Sequence, residues 1–409
     1  MPENAPSELL AKVLAEVEPG EPGFGAAVAV AKDGALLAEA WLGEAAPGRP
    51  WRAETPIVTW SVSKGLAAMV VARLAQDGDI DPDAPIHSYW DGFGAAGQTT
   101  TLADVMSHRA GLPLLPAAPG LPRFDDAASW DDAAAAEALA RTPPEPGRVD
   151  RVAYHALTYG WLVGECVRRA TGLGLDAQTQ RVLAQPHGLA LGFGTRSADI
   201  CDRLARPGVP RQGREKCASV DAAFADPGNP LRRALCVPVG LGFADVLRLT
   251  EAADFLAAET PAISLISDAA SLARAYSLFA SGAPSLISPA GRDAMLRERA
   301  RTDDDDVTGG ARIMALGVAL NSPPSIELSS GPRSFGHPGM GGSLAWGDPD
   351  TGLGFAYLTN AAIPDTVTDP RAVALSRVAR AFYVASLERE GSIPRVHGAT
   401  SNWKTGYRP

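Results

Sequence analysis

The sequence predicts an α+β protein in which one antiparallel sheet, built from the two ends of the chain and covered by helices, carries an inserted and mostly helical domain. Three observations predict it. Period-two apolar patterning occurs towards both ends, Asp- and Gly-containing turns join neighbouring runs into hairpins, and the long middle is rich in Ala, Leu and Arg with Pro and Gly breaks. The expected division is residues 1–90 with 305–390 as the sheet domain, 91–304 as the helical domain and 391–409 as a polar tail.

In chain order, Gly25 to Lys32 alternates and meets Ala35 to Leu42 across Asp33-Gly34, a hairpin signal. Behind Thr59-Trp60, the residues Leu66, Met69, Val70 and Leu74 fall at the spacing of a helix with one buried face, which places Ser61 and Lys64 on its first turn. The Gly78 to Pro85 stretch ends it. A second helix is expected from about Tyr154 to Ala170, stopped by Gly172, and a third from a Ser267 N-cap to near Gly282. Strand patterning returns at Ile313 to Leu320, then at Ser343 to Trp346 and Leu353 to Thr359, the last two forming a hairpin across Asp348 to Gly352. An amphipathic helix over Arg371 to Leu387, with Val373, Leu375, Val378, Phe382 and Val384 apolar, closes the fold.

Of the 409 residues, 46% are hydrophobic and 21% charged, which suits one large or two closely packed domains and excludes global disorder. The net charge of -10 offers no basic surface for phosphates or anionic lipid, so neither nucleic acid nor membrane is an expected partner. The start, Met1-Pro2-Glu3-Asn4-Ala5, lacks a cationic region followed by an apolar run, and no run of ~18 apolar residues occurs. A soluble cytoplasmic protein is expected. Cys166, Cys201, Cys217 and Cys236 show no C-x-x-C spacing and read as buried free thiols. The Asp303 to Asp306 run reads as a solvated loop, so no metal or other cofactor is expected.

The chemistry resides in Ser61-Val62-Ser63-Lys64. A serine hydroxyl is a poor nucleophile until a base takes its proton, and Ser-x-x-Lys places an amine on the same helical face. Lys64 can serve once burial lowers its proton affinity, and Ser61 at a helix N-terminus gains the field of unpaired backbone N–H groups. The pattern recurs at Ser401-Asn402-Trp403-Lys404, continuing as Lys404-Thr405-Gly406, but nothing after it reads as a helix or strand, and it is a coincidence of a long chain. The Gly-x-Ser-x-Gly elbow of α/β-hydrolases is absent.

Two further motifs follow Ser61 in order: Tyr154-His155-Ala156, and His337-Pro338-Gly339 ahead of Met340-Gly341-Gly342. With the stretches Met106 to Pro113 and Gly336 to Asn360, they make the chain from about Gly25 to Leu387 resemble the serine β-lactamase and penicillin-binding-protein superfamily. The nearest likeness is to its class C β-lactamase-like esterases (family VIII carboxylesterases) and transacylases. The resemblance implies a β-lactamase-like fold, Ser61 as acylated nucleophile, Lys64 as its proton acceptor or activator, and Tyr154 as proton shuttle to the leaving group. Lys64 and Tyr154 would share one proton, and which is the base stays open. His337-Pro338-Gly339 would start the strand bordering the site, with the N–H groups of Met340 and Ser61 forming the oxyanion hole.

Two departures matter. β-lactam hydrolases usually carry Asn and Lys where this chain has Ala156 and His337, so there is less to hold an amide side chain and a carboxylate. Ester or thioester donors become the favoured small-molecule substrates, with water, an alcohol or an amine as acceptor. D-amino-acid amidase, peptidase or weak β-lactamase activity is the alternative, and a non-catalytic binding protein a further one. His108 and His155 read as hydrogen-bonded residues beside the pocket, Trp60 and Trp346 as pocket or core aromatics.

Overall fold

The computed structural model describes residues 5–94, 99–145, 147, 151–364 and 368–389. The expected tail, with its second Ser-x-x-Lys, lies outside the described residues.

The sheet joins the two chain ends. Gly25–Lys32 and Ala35–Ala46 pair across Asp33 and Gly34, whose φ angles of 53° and 84° suit the tight hairpin turn that their residue types favour. Gly25–Lys32 then pairs along its other edge with Leu353–Thr359, from Ala26 opposite Thr359 to Lys32 opposite Leu353. Leu344–Asp348, Phe335–Pro338, Ala319–Leu320, Arg312–Met314 and Ala300–Thr302 extend the sheet in that order, and Arg49–Pro50 caps the opposite edge. Ile313 to Leu320 is therefore not one strand. Its ends pair with each other as a hairpin, turned by Gly317 at φ 74°.

Strand alternation divides the core into two layers. On one face Ala26, Val28, Val30, Leu344, Trp346, Phe355 and Tyr357 pack against helices Ala5–Val17 and Pro370–Arg389. On the other, Ala27, Ala29, Ala31, Ala345 and Ala356 are small, and the Ala269–Ser281 helix lies close upon them. A Cβ on Gly354 would stand 2.2 Å from the Ala273 carbonyl oxygen, an overlap whose relief costs about 1–3 kcal/mol.

Three helical expectations shift. The Val62–Asp77 helix is buried on all sides through Ala72 rather than on one face, because it runs through the centre of the larger core layer. The next helix spans Thr158–Thr171, ending at Gly172 with φ 76°, so Tyr154 precedes it. The Ala153 N–H donates to the His108 carbonyl and the His155 N–H to His108 Nδ1, bonds that hold this segment out of helical geometry. Ser267 lies in the strand Leu265–Ser267, and the cap of Ala269–Ser281 is Asp268, whose carboxylate accepts from the Ser271 N–H at 2.6 Å. The Ala5–Val17 helix was not foreseen. A small second sheet of Ile57–Val58, Leu265–Ser267 and Leu191–Phe193 ties the entrance of the Val62–Asp77 helix to the middle of the chain.

The cysteines are free, Cys166 and Cys217 buried, Cys201 and Cys236 half-buried. Among the described residues no helix is long and apolar enough to cross a membrane.

Candidate active site

Ser61 stands at the mouth of the central helix, and the small sheet grips the backbone on both sides of it. The Thr59 N–H donates to the Leu265 carbonyl at 2.8 Å, and the Leu265 N–H donates to Ser63 Oγ at 3.0 Å. Between them Trp60 takes φ 53°, a left-handed conformation that costs a bulky residue about 1–3 kcal/mol and is sustained by this grip. The first turn then closes with N–H donations from Ser63 to Trp60 and from Lys64 to Ser61.

Lys64 is fully buried, and its Nζ lies 3.1 Å from Ser61 Oγ, 2.8 Å from the Ala156 carbonyl and 3.1 Å from the Ala262 carbonyl. Three acceptors match three ammonium hydrogens. They equally match a neutral amine, whose two N–H bonds serve the carbonyls while its lone pair faces the Ser61 hydroxyl. Burial pushes the amine well below the ordinary lysine value, and the Arg312 guanidinium adds to this. The neutral form is thus reached at lower pH than for an ordinary lysine, without any movement of the side chain.

Tyr154 donates its O–H to Ser61 Oγ at 2.9 Å. Burial pushes its phenol up to about 12, opposed by Arg312 and by the Ser61 hydrogen bond. Ser61 Oγ therefore meets both Lys64 and Tyr154, the latter 93 residues on in the chain.

His337 lies within Phe335–Pro338, so His337-Pro338-Gly339 ends this strand instead of starting it. Its ring stacks on Tyr154 at 6.0 Å, and burial holds it well below the usual histidine value, hence neutral. A Cβ on Gly339 would meet the Thr59 carbonyl oxygen at 2.6 Å, so glycine here permits the strand end to press against the mouth of the helix. Met340 follows. Among the described residues, the backbone N–H groups of Ser61 and Met340 have no hydrogen-bond partner.

His108 and His155 are both fully buried. The Leu112 N–H donates to His155 Nε2 at 3.2 Å, and the His108 ring meets Tyr154 edge-on at 4.8 Å. Both imidazoles are neutral because burial lowers their proton affinity, His155 to about 4. Trp60 and Trp346 are buried core aromatics.

Two residues at the site were not singled out by spacing. Asp305 is buried rather than solvated. Its Oδ1 accepts N–H bonds from Val307 and Thr308, a hydroxyl bond from Thr308 and a long bond from the Tyr154 N–H, while Asp303 and Asp304 are exposed. Arg312, also buried, places its guanidinium 4.6 Å from the Tyr154 ring centroid. No motif relates Arg312 to Ser61; only the sheet does.

Beside this wall lies a cavity of about 840 Å³ of mixed character, lined by Leu112, Leu114, Leu115 and Leu121 and also by Arg123, Glu145, Arg232 and Arg233. The Leu112 N–H bond to His155 ties it to the Tyr154–Ala156 segment.

Comparison with known proteins shows the family and fold of the chain. The chain is 32% identical over 375 residues to "Esterase/beta-lactamase LipL" of Mycobacterium tuberculosis (strain ATCC 25618 / H37Rv), spanning 88% of this chain and 82% of that one. It is similar in structure to a family VIII carboxylesterase, with TM-score 0.76 and 29% identity over 93% of this chain and 97% of the other. A penicillin-binding protein homolog from Caulobacter crescentus gives TM-score 0.75 and 29% identity over 92% and 97%. Residues 16–378 match the family described as Beta-lactamase, a span that holds every element of the site, and the chain belongs to that family.

Proposed function

We propose that this serine hydrolase cleaves neutral carboxylic esters through an acyl-enzyme on Ser61. The observation that carries the reading is Ser61 Oγ held at once 3.1 Å from a buried Lys64 amine and 2.9 Å from the Tyr154 hydroxyl. In acylation the Ser61 oxygen adds to the ester carbonyl as its proton passes to the Lys64–Tyr154 pair. The oxyanion is received by the N–H groups of Ser61 and Met340, and on collapse the pair returns the proton to the departing alkoxide through Tyr154. Water repeats the sequence in reverse roles, releasing the acid and restoring Ser61. An alcohol or amine seated in place of water would give acyl transfer by the same steps.

The preference for neutral esters is supported by the charges around the site. His337 is neutral, Ala156 offers no side-chain amide, and Arg312 already faces Asp305 at 3.5 Å. The leucine wall of the cavity, Leu112, Leu114, Leu115 and Leu121, suits the hydrocarbon portion of such a substrate.

Intact-mass spectrometry after exposure to short acyl esters should show an acyl adduct on the wild type and none on Ser61→Ala. An adduct of equal mass on both proteins overturns the mechanism. Rapid turnover of nitrocefin would overturn the argument from Ala156 and His337.

A further inference from the structure

We infer that Arg312, paired with Asp305, is the positioning residue that keeps the Lys64–Tyr154 pair free of its extra proton at working pH, and so able to accept the Ser61 proton. The inference rests on the proposed acyl-enzyme chemistry and adds the source of the pair's charge control.

The geometry is that of a cation placed over the ring of the reacting phenol. Arg312 enters on the Arg312–Met314 strand, its guanidinium 4.6 Å over the Tyr154 ring, while Lys64 Nζ stands 5.0 Å from the same ring centroid. Arg312 Nη2 donates to Thr308 Oγ1 at 2.9 Å, and Nε lies 3.5 Å from Asp305 Oδ2. Asp305 in turn is fixed by Val307 and Thr308 and reaches the Tyr154 N–H. The carboxylate thus pairs by charge with the cation, shares Thr308 with it, and through Oδ1 holds the backbone of the phenol.

Lys64 and Tyr154 both bond Ser61 Oγ, and a cation acts on the two together. It disfavours the ammonium of Lys64 and favours the phenolate of Tyr154, so the pair gives up a proton more readily whichever member releases it. The other titratable groups facing Tyr154 do not supply this. His108 and His337 are neutral at working pH, Tyr159 adds no cation, and Asp305 acts in the opposite sense. Lys64 is itself a member of the pair. Arg312 is left as the fixed positive charge.

The test is the pH dependence of Ser61 acylation by a p-nitrophenyl ester in the wild type, Arg312→Gln and Arg312→Lys, with thermal melts run alongside. Loss of a unit charge at this distance and an intermediate dielectric should move the ascending limb of the Arg312→Gln profile up by about 1–2 pH units. Acylation at pH 7 should fall about 10–100-fold and recover at higher pH, while Arg312→Lys keeps most of the wild-type limb. A loss equal at every pH, with the limb unmoved, overturns the inference and makes Arg312 structural. A rise in KM confined to esters bearing a carboxylate, again with the limb unmoved, overturns it too and makes Arg312 a substrate receptor. Should Arg312→Gln not fold, an Arg312→Lys limb shifted upward as far as that expected for charge loss overturns it. Absence of acylation in the wild type is the distinct failure of the esterase reading.

Discussion

Replacing Lys64 with Met tests whether the buried amine is held neutral, the condition on which its role as a proton acceptor depends. In the unfolded chain lysine titrates near 10.4, whereas burial, seconded by Arg312, holds the folded amine well below the ordinary value. Between the two values the unfolded chain binds a proton that the folded chain lacks. Wild-type stability from this group is therefore full above about pH 10.4 and falls as pH falls, by up to about 1.4 kcal/mol per unit, until the folded value is passed. Met is of similar length and has no proton to gain, so its stability lacks this slope. It does strand the Ala156 and Ala262 carbonyls, a cost of about 1–3 kcal/mol each that does not vary with pH. Urea denaturation of both proteins from pH 7.5 to 9.5 separates the two effects. The window lies above the range of unfolded histidines and below that of tyrosine, and across it the wild type should gain up to about 2.7 kcal/mol on Lys64→Met. Parallel curves would mean that the folded amine is protonated throughout, and a Lys64 base would have to be abandoned. Acylation of Lys64→Met should be undetectable at every pH.

Two further outcomes are expected. Glu18 is buried at the end of the Ala5–Val17 helix, accepts a hydrogen bond from the Tyr357 hydroxyl and lies 3.6 Å from Arg371, and burial raises its carboxyl from 4.5 to about 7. The folded carboxyl holds a proton that the unfolded one has released, so stability is lost as pH rises through that window; Glu18→Gln should gain about 3 kcal/mol on the wild type between pH 4 and 8 by urea denaturation, and an unchanged difference would disprove the burial argument. Gly339→Ala forces a Cβ to within 2.6 Å of the Thr59 carbonyl and 3.1 Å of Val62 Cγ2, displacing the Met340 amide; kcat on aryl esters should drop about 10²-fold with a small change in melting temperature, whereas full activity would remove Met340 from the oxyanion hole.

The parts of this protein legible in its sequence are those governed by local spacing. The Asp33-Gly34 turn, the Gly78 and Gly172 helix stops and the Leu353 to Thr359 strand follow from what a residue and its near neighbours can adopt. Ser61 and Lys64 meet because three residues make almost one helical turn. Tyr154 was misplaced on a helix because its apolar neighbours repeat at helical spacing, while the groups that determine its backbone, His108 and Asp305, are 46 and 151 residues away. The Asp303 to Asp306 run was misread for a related reason. Four consecutive carboxylates look alike in sequence, but only Asp305 turns inward to backbone N–H groups.

The charge balance of the site shows most clearly what a motif compares. His337 occupies a position where β-lactam hydrolases usually have Lys, and in sequence this reads as a lost cation. In three dimensions a cation is present nevertheless, since Arg312 rises from a strand two places along the sheet and lies over the face of the phenol. The two placements differ in consequence. A lysine on the strand end could reach a substrate carboxylate, but Arg312 is stacked on Tyr154 and engaged with Thr308 and Asp305. Its field acts on the phenol while Nη2 is bonded to Thr308 and the charge is paired with Asp305. Under the proposed ester chemistry, this placement lets a cation act on the base of a β-lactamase-like site whose substrates carry no charge.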